Sequence, residues 1–338
     1  MPVMPKLEIP AEPAFLHPHV LRQMLREDPP MAFNIVTRPP ISNSGTREEI
    51  MSDLIENLDN MDHSGSGHVV FLLSEVVDRF IQPPAAAEND PGTIDGSSRG
   101  CLSIMPSGAY LPLERSDLTR YVEIHALTGV RIHFVWPPTA HNIAILQSYF
   151  RTGGRSSTES QVELCQELRG GNSIIQRPGQ IVLIPPYCST VTFATKMSAA
   201  VQFGFRHTEG IPLRLRHADL LPGQTRLNTG DDSARRAKML TYEIKQLAKD
   251  IENLLALSGP APPAQQRLVL SLAKEWRTKS VSFRSLCAMC LPAIYLVQAG
   301  DNFRRLWDAA IEFHAFEWCP ACDALVTSRG CGHVQRDP

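Results

Sequence analysis

The feature of this sequence that most constrains its fold is a series of short strand-like segments between Cys101 and Phe205. These segments are rich in Val, Ile, Thr and Phe, a composition that β-strands prefer. Gly129 and Gly179 lie between neighbouring segments, where a residue that adopts positive φ permits a tight reversal. Strands are predicted at 101–105, 120–126, 130–135, 173–177, 180–185, 190–195 and 199–206. Several short strands joined by turns predict a barrel or a sandwich.

Helical segments precede and interrupt these strands. Residues 1–45 are rich in Pro and polar side chains and predict an extended lead-in. The part from 46 to 98 begins with helical spacing, while its apolar run over 68–81 leaves strand or helix open. An insertion between two groups of strands predicts a helix over 140–150 and a shorter helix near 161–168. The predicted fold class is therefore α+β.

After Pro222 the apolar residues change to a helical period. One apolar stripe with steps of three or four residues is formed by Leu240, Ile244, Leu247, Ile251 and Leu254. A helical domain is therefore predicted over 231–317, with a first helix that begins near Ser233 and further helices over 264–277, 282–298 and 302–317. The stripe packs either on the other helices of this domain or on a second copy, in a homodimer through the 231–258 helix.

Length and charge restrict the class of protein. The chain has 338 residues, 43% of them hydrophobic, which allows one large domain or two of ordinary size. A net charge of −2 gives no signature of a nucleic-acid or membrane-surface binder. The N-terminus lacks a signal-peptide pattern, and no apolar run approaches the ~20 residues that span a bilayer. We therefore expect a nuclear or cytoplasmic protein whose cysteines are thiols or metal ligands rather than disulfides.

Residues 318–338 contain a pattern typical of a zinc site, C-x2-C-x8-C-x-H. Its four potential ligands are Cys319, Cys322, Cys331 and His333. The CxxC turn presents two thiolates to one tetrahedral ion and the Cys-x-His pair completes the set, so the pattern predicts structural zinc. His314 is the substitute if one of the four does not bind. Cys287 and Cys290 are predicted to pack in a core, although a site that joins them to the first CxxC pair stays open.

Three motifs occur in order within the strand-rich region: L-x-G-x-R-I at 127–132, P-P-T-x-x-N at 137–142 and P-G-Q-x-x-x-I-P at 178–185. An aromatic strand that ends in "FGFRH" follows them. With these motifs the chain resembles the JmjC domain, most closely in its fungal-type variants. The resemblance implies a double-stranded β-helix, a cupin-like jelly-roll barrel, over 99–222. This is the fold of Fe(II)- and 2-oxoglutarate-dependent oxygenases.

The resemblance also implies where iron ligands should stand. Active members of the family hold Fe(II) with a His-x-Asp/Glu pair and a later His, the facial triad that leaves open positions on the metal. These positions fall at Glu114, Ser116 and Thr190 in this sequence. One carboxylate and two hydroxyls suit Mg²⁺ or Ca²⁺ better than Fe(II). No catalytic residue is therefore expected at these positions.

Other side chains are candidates for a rebuilt site. His125, His133 and His207 lie on or beside predicted strands, and Asp117 follows Ser116 directly. If His125 and His133 both faced inwards they would supply two nitrogen ligands; the alternative is that these histidines are ordinary strand residues with satisfied hydrogen bonds.

Arg131 stands where the resembled family has a Lys that pairs with the far carboxylate of 2-oxoglutarate. A guanidinium can bind a carboxylate with two parallel hydrogen bonds, so Arg131 is a candidate ligand for that cosubstrate or another anion. The alternative is an arginine exposed on a strand. The sequence alone leaves both open.

Two functions follow from the resemblance. The first is a catalytically inactive JmjC-like protein that acts as a binding or scaffold module for protein partners, in chromatin or transcriptional regulation. The second is an active Fe(II)/2-oxoglutarate-dependent protein hydroxylase or histone lysine demethylase with rearranged ligands, which alone would require Fe(II) and 2-oxoglutarate. The altered ligand positions favour the first. A small-molecule-binding cupin is a third reading.

Overall fold

The computed structural model describes residues 33–36, 49, 53–54, 56–57, 60–64, 69–73, 93–95, 100–113, 118–151, 158–229, 232–255, 263–290, 317–318 and 325–326. These residues form a mixed α+β protein, which confirms the predicted class. The chain divides into a sheet-containing unit over 1–207 and a mainly helical unit over 208–338. Of the helices described, none has the length and apolar character to cross a bilayer.

The first unit contains eleven described strands in two sheets. Their bounds are β1 (Phe33–Val36), β2 (Val69–Leu73), β3 (Thr93–Asp95), β4 (Cys101–Met105), β5 (Tyr110–Leu111), β6 (Tyr121–Thr128), β7 (Arg131–Trp136), β8 (Asn172–Gln176), β9 (Ile181–Ile184), β10 (Ser189–Ala194) and β11 (Ser198–His207). The larger sheet has the order β1-β2-β4-β11-β6-β9, with β3 paired to β11. The smaller sheet has the order β5-β10-β7-β8. All pairings are antiparallel, and no ladder among the described strands joins one sheet to the other.

All seven strands predicted between 101 and 206 are present, with ends within two residues of the prediction. The apolar run over 68–81, left open by the sequence, contains strand β2. The expected lead-in contains β1, and the part from 46 to 98 contains a second strand that the sequence does not predict, β3. β1 pairs with β2, and β3 pairs with the end of β11 at a bulge. These short strands depend on distant partners, which local composition does not reveal.

Two helices interrupt the strands of the first unit, as the sequence predicts: α1 (Ala140–Arg151) and α2 (Thr158–Glu167). The P-P-T-x-x-N motif forms the start of α1. The Thr139 hydroxyl accepts a hydrogen bond from the backbone N–H of Asn142 at 3.2 Å, a helix N-cap contact. The Asn142 side chain donates to the carbonyls of Pro137 (2.8 Å) and Arg169 (2.9 Å). This motif therefore fixes both ends of the insertion.

The helical unit contains α3 (Ile211–Arg216), α4 (Leu221–Thr229), α5 (Ser233–Leu255) and α6 (Pro263–Cys290). Helical structure thus begins before Pro222. The prediction of separate helices over 264–277 and 282–298 is wrong, because α6 runs without a break to Cys290. Residues 302–316 lie outside the described part of the chain, and Glu317 belongs to a short strand, β12 (Glu317–Trp318), that pairs with β13 (Leu325–Val326).

The apolar stripe of α5 is buried within the chain. Ile244, Leu247, Ile251 and Leu254 are all 3% exposed or less. Beside them, the Arg214 guanidinium donates to Asp250 at 2.6 Å, and both side chains are buried. A homodimer through 231–258 stays a prediction, and it would have to use residues outside this stripe.

Gly129 and Gly179 have positive φ of 71° and 79°, which confirms their place at tight reversals. Gly129 joins β6 to β7 at a point of close backbone approach. A Cβ atom there would lie 2.0 Å from the Met197 carbonyl oxygen and 2.7 Å from the Ser198 Cα. Gly108 has a similar φ of 82°, but a Cβ atom there would meet nothing within 4 Å. Substitutions at Gly129 and Gly108 therefore distinguish the cost of steric overlap from the cost of backbone strain alone.

We predict that Gly129→Ala lowers the free energy of unfolding by on the order of 3 kcal/mol, because it adds overlap with backbone atoms to left-handed strain. The matched control Gly108→Ala adds only the strain, about 1 kcal/mol. Urea unfolding of both variants and the parent chain measures the difference. Equal losses for the two variants would contradict the close approach of β6–β7 to Met197.

Candidate functional site

A cavity of about 110 Å³ lies between the two sheets of the first unit. Its apolar wall consists of Phe71, Leu111, Pro112, Val122, Ile124 and Ile184. Its polar wall consists of Cys188, Thr190, Thr192 and Gln202. Residues of both sheets contribute because alternate side chains of each strand point to the same face. The register agrees, since Gln202 pairs with Ile124 across β11 and β6, and Thr192 pairs with Leu111 across β10 and β5.

Of the three positions at which the resemblance expects iron ligands, the structure describes only Thr190. Thr190 is buried on β10 and lines the cavity, so the position at which the resemblance expects a second His faces the space between the sheets. Its hydroxyl lies 3.5 Å from the Cys188 carbonyl oxygen. Glu114, Ser116 and Asp117 lie outside the described residues. Their convergence with Thr190 stays a prediction.

His133 is fully buried on β7, with hydrogen bonds at both ring nitrogens. Nε2 lies 2.8 Å from Gln176 Oε1, and Nδ1 lies 2.9 Å from Thr192 Oγ1. The Gln176 amide nitrogen donates to the Ile124 carbonyl (2.7 Å) and the Gln180 carbonyl (2.9 Å), which fixes the orientation of the amide. Gln176 Oε1 therefore accepts from Nε2–H, and the Nδ1 lone pair accepts from the Thr192 hydroxyl. Neither nitrogen is available to a metal without loss of a buried hydrogen bond.

The environment of His133 also disfavours its protonation. Burial is the main cause that lowers the pKa of His133 to about 4; the hydrogen bond with Gln176 opposes this shift, and the nearby Arg131 charge contributes to it. An imidazole in a low-dielectric interior loses the solvation that stabilises its cation. His133 is therefore neutral at physiological pH and acts as a hydrogen-bonded core residue, the second of the two roles that the sequence left open.

Arg131 is buried and does not line the cavity. Its Nε donates to Ser198 Oγ at 2.9 Å and its Nη1 to Ser103 Oγ at 2.8 Å. Its Nη2 donates to the carbonyls of Ser103 (2.7 Å) and Ser198 (3.2 Å). Burial lowers the pKa of Arg131 to about 9, which still leaves the guanidinium charged at neutral pH. The expectation of an exposed arginine is wrong, and the side chain links β7 to β4 and β11 of the other sheet.

The other two histidines are not brought to His133. His125 lies in the larger sheet, and its neighbour Ile124 lines the cavity, so His125 points to the opposite face. There Nε2 of His125 lies 2.7 Å from Glu123 Oε1, and the ring packs on the edge of Phe203. His207, at the end of β11, packs on Tyr121 with ring centroids 6.0 Å apart. The idea that His125 and His133 both face inwards is therefore wrong.

Cys188 is the cysteine among the described residues that line the cavity. Burial raises the pKa of the Cys188 thiol, on the cavity wall, to about 11, so it is protonated at neutral pH. The predicted zinc ligands at 319–333 lie outside the described residues, as do the side chains of Cys287 and Cys290, which belong to α6. Across the described ranges, no three His, Cys, Asp or Glu side chains lie close enough to hold one metal ion.

Four polar residues of the site are not predicted from the sequence. Ser103, Ser198 and Gln176 bind the two buried polar side chains, and Gln202 presents its amide to the cavity. Each is a polar residue at an inward position of its strand. That alternation is the signal that could identify them.

No protein-family model matches this chain, and no curated protein matches it with significant similarity. Functional inference therefore rests on the chain's own residues and their geometry.

We predict that His133 does not titrate between pH 7.5 and 5. Its pKa is about 4 in the folded chain and about 6.5 when unfolded. Between these values the unfolded chain takes up a proton that the folded chain does not. The stability due to neutral His133 is therefore complete above pH 6.5 and falls by about 3 kcal/mol as the pH approaches 4.

The measurement is the chemical shift of the His133 ring carbon protons against pH, assigned by their loss in His133→Asn. A constant shift down to pH 5 agrees with the hydrogen bonds described above. A midpoint near pH 6.5 would mean that the imidazole is solvated and that its Nδ1 lone pair is open to ligands.

Proposed function

We propose that this chain is a JmjC-like protein without a working iron site, whose double-sheet unit serves as a binding module rather than as an oxygenase. The single observation that carries this proposal is the cavity wall. Thr190 stands there at the expected position of an iron-binding His, and the buried imidazole of His133, which is hydrogen-bonded to the lining residue Thr192, uses both nitrogens in hydrogen bonds.

The order of the strands supports a double-stranded β-helix. Four strands of the larger sheet have the order β4-β11-β6-β9, and the smaller sheet has the order β5-β10-β7-β8. From β4 to β11 the chain repeatedly passes between the two sheets, and only β7 and β8 are successive neighbours in one sheet. Two facing antiparallel sheets of four strands that the chain enters in turn are typical of jelly rolls and cupins.

The donor atoms support the loss of iron chemistry. A ferrous facial triad requires two neutral imidazole nitrogens and one carboxylate, aimed by a second layer of hydrogen bonds. The cavity wall offers two hydroxyls, an amide and a protonated thiol. The Arg131 guanidinium, the expected partner of 2-oxoglutarate, binds Ser103 and Ser198 instead. These residues do not fit Fe(II) or the dicarboxylate, and no catalytic step is derived through either.

Protein partners, a chromatin or transcriptional setting, a nuclear location and a zinc-stabilised C-terminus belong to the same proposal. The resemblance supports the partners and the setting, and the Cys/His spacing at 319–333 supports zinc. The strands β12 and β13 flank Cys319 and Cys322 in the sequence and pair with one another, an arrangement compatible with a zinc hairpin.

The test is anaerobic reconstitution of the full chain with Fe(II), followed by metal analysis and an assay of succinate release from 2-oxoglutarate. We expect far less than one Fe(II) per chain and no succinate above the protein-free blank. A matched variant, Glu114→His with Ser116→Asp and Thr190→His, restores the three ligands at the positions that the resemblance gives. We expect this variant to bind Fe(II).

Each outcome bears on the proposal. One Fe(II) per native chain together with succinate release would overturn it and would favour the oxygenase. A well-folded triple variant that does not bind Fe(II) would contradict the assignment of the three positions. The zinc content of the same samples, expected at one per chain, provides an internal control for the metal analysis.

A further inference from the structure

The described residues that line the cavity between the sheets offer no charged group to a ligand. None of its ten lining residues carries an Asp, Glu, Lys, Arg or His side chain. Of the described lining residues, Cys188 is the one with a titratable side chain, and burial keeps its thiol protonated. The buried cation Arg131 forms four hydrogen bonds to Ser103 and Ser198 and is not among the described lining residues. A carboxylate that entered this space would lose its solvation without a cation to replace it.

The polar atoms of the wall can nevertheless recognise a neutral group. The Gln202 side chain faces the cavity, and its amide provides both a donor and an acceptor. Among the described residues no hydrogen-bond partner of that side chain is present. Thr192 donates its hydroxyl hydrogen to His133, so its oxygen still has lone pairs for a donor on a ligand. Six apolar residues form the rest of the surface.

The volume restricts the size of the ligand. A closed apolar cavity of about 150 Å³ accommodates one benzene ring. The present cavity of about 110 Å³ is partly open, so it accommodates about one ring or a short branched chain, with the remainder of a larger molecule outside. A ligand of this size binds with a Kd on the order of 1 mM when it has few contacts.

We propose that this cavity binds a small uncharged molecule, or the tip of a larger one, that combines an apolar ring or chain with an amide-like donor and acceptor. Gln202 binds the polar group, and Ile124, Ile184 and Val122 contact the apolar part. This inference rests on the proposed iron-free binding role. It adds the class of ligand and excludes dicarboxylates such as 2-oxoglutarate.

The test uses benzamide, its charged analogue benzoate, and toluene as probes of the full chain. Methyl resonances of Ile124, Ile184 and Val122 report occupancy of the cavity by NMR titration. We expect saturable shifts with benzamide at millimolar Kd, and at least tenfold weaker binding of benzoate. Gln202→Leu should weaken benzamide binding about fivefold to tenfold and leave toluene binding unchanged.

Two further variants serve as controls. Gln166→Leu removes an exposed amide on α2 and should change no affinity. Val122→Phe fills part of the cavity from a half-buried position and should abolish the shifts from both neutral probes, and Ile184→Phe does the same from the neighbouring strand if the first variant folds poorly.

Benzoate or 2-oxoglutarate that binds as tightly as benzamide would overturn the proposal, as would equal benzamide affinity in Gln202→Leu. Absence of any saturable shift would overturn it too. These failures are distinguishable from failure of the proposed function, because iron content and succinate release are measured separately on the same protein. A chain that lacks iron and also ignores benzamide refutes only this inference.

Discussion

The hydrogen bonds of Arg131 to Ser103 and Ser198 are the interaction on which the double-sheet unit depends. They join β7 of the smaller sheet to β4 and β11 of the larger one, although no backbone ladder connects the two sheets in the described residues. Removal of a cation from water costs several kcal/mol. Hydrogen bonds to charged groups contribute about 1.5–3 kcal/mol each, so the four bonds together are large enough to offset that cost. Arg131 therefore has little capacity to bind a ligand as well.

His133 likewise joins the two sheets and has no ring nitrogen left for a ligand. Its ring joins β7 to Thr192 on β10, and through Gln176 it reaches the Ile124 carbonyl of the larger sheet. The Arg131 charge nearby disfavours a second cation, which keeps the imidazole neutral. Arg131 and His133, which the sequence indicates as candidate ligands, thus join the two sheets. The described residues that line the remaining space between the sheets are uncharged.

The strands are predicted from the sequence more completely than the candidate site is. The β-branched segments and the turn glycines give seven strands correctly, whereas β5, with two residues, and β3, in a Pro-rich loop, depend on pairing with β10 and β11. The sequence predicts a break between 277 and 282, but burial of Trp276, Phe283 and Leu286 keeps the helix continuous there. Arg131 and His133 were recognised as candidates. The sequence does not predict their roles, because their partners Ser103, Gln176 and Ser198 are distant in sequence and the direction of each side chain depends on strand register.

The central claim is that Arg131 links the sheets and is not a ligand-binding cation. Its most direct test is NMR of the Arg131 side-chain Nε–H group, assigned with Arg131→Lys, during titration of 2-oxoglutarate. The account predicts a slowly exchanging Nε–H signal, because the group is buried and donates to Ser198 Oγ, with no change in shift up to millimolar 2-oxoglutarate. A rapidly exchanging signal, or one that moves and saturates with the dicarboxylate, would contradict it.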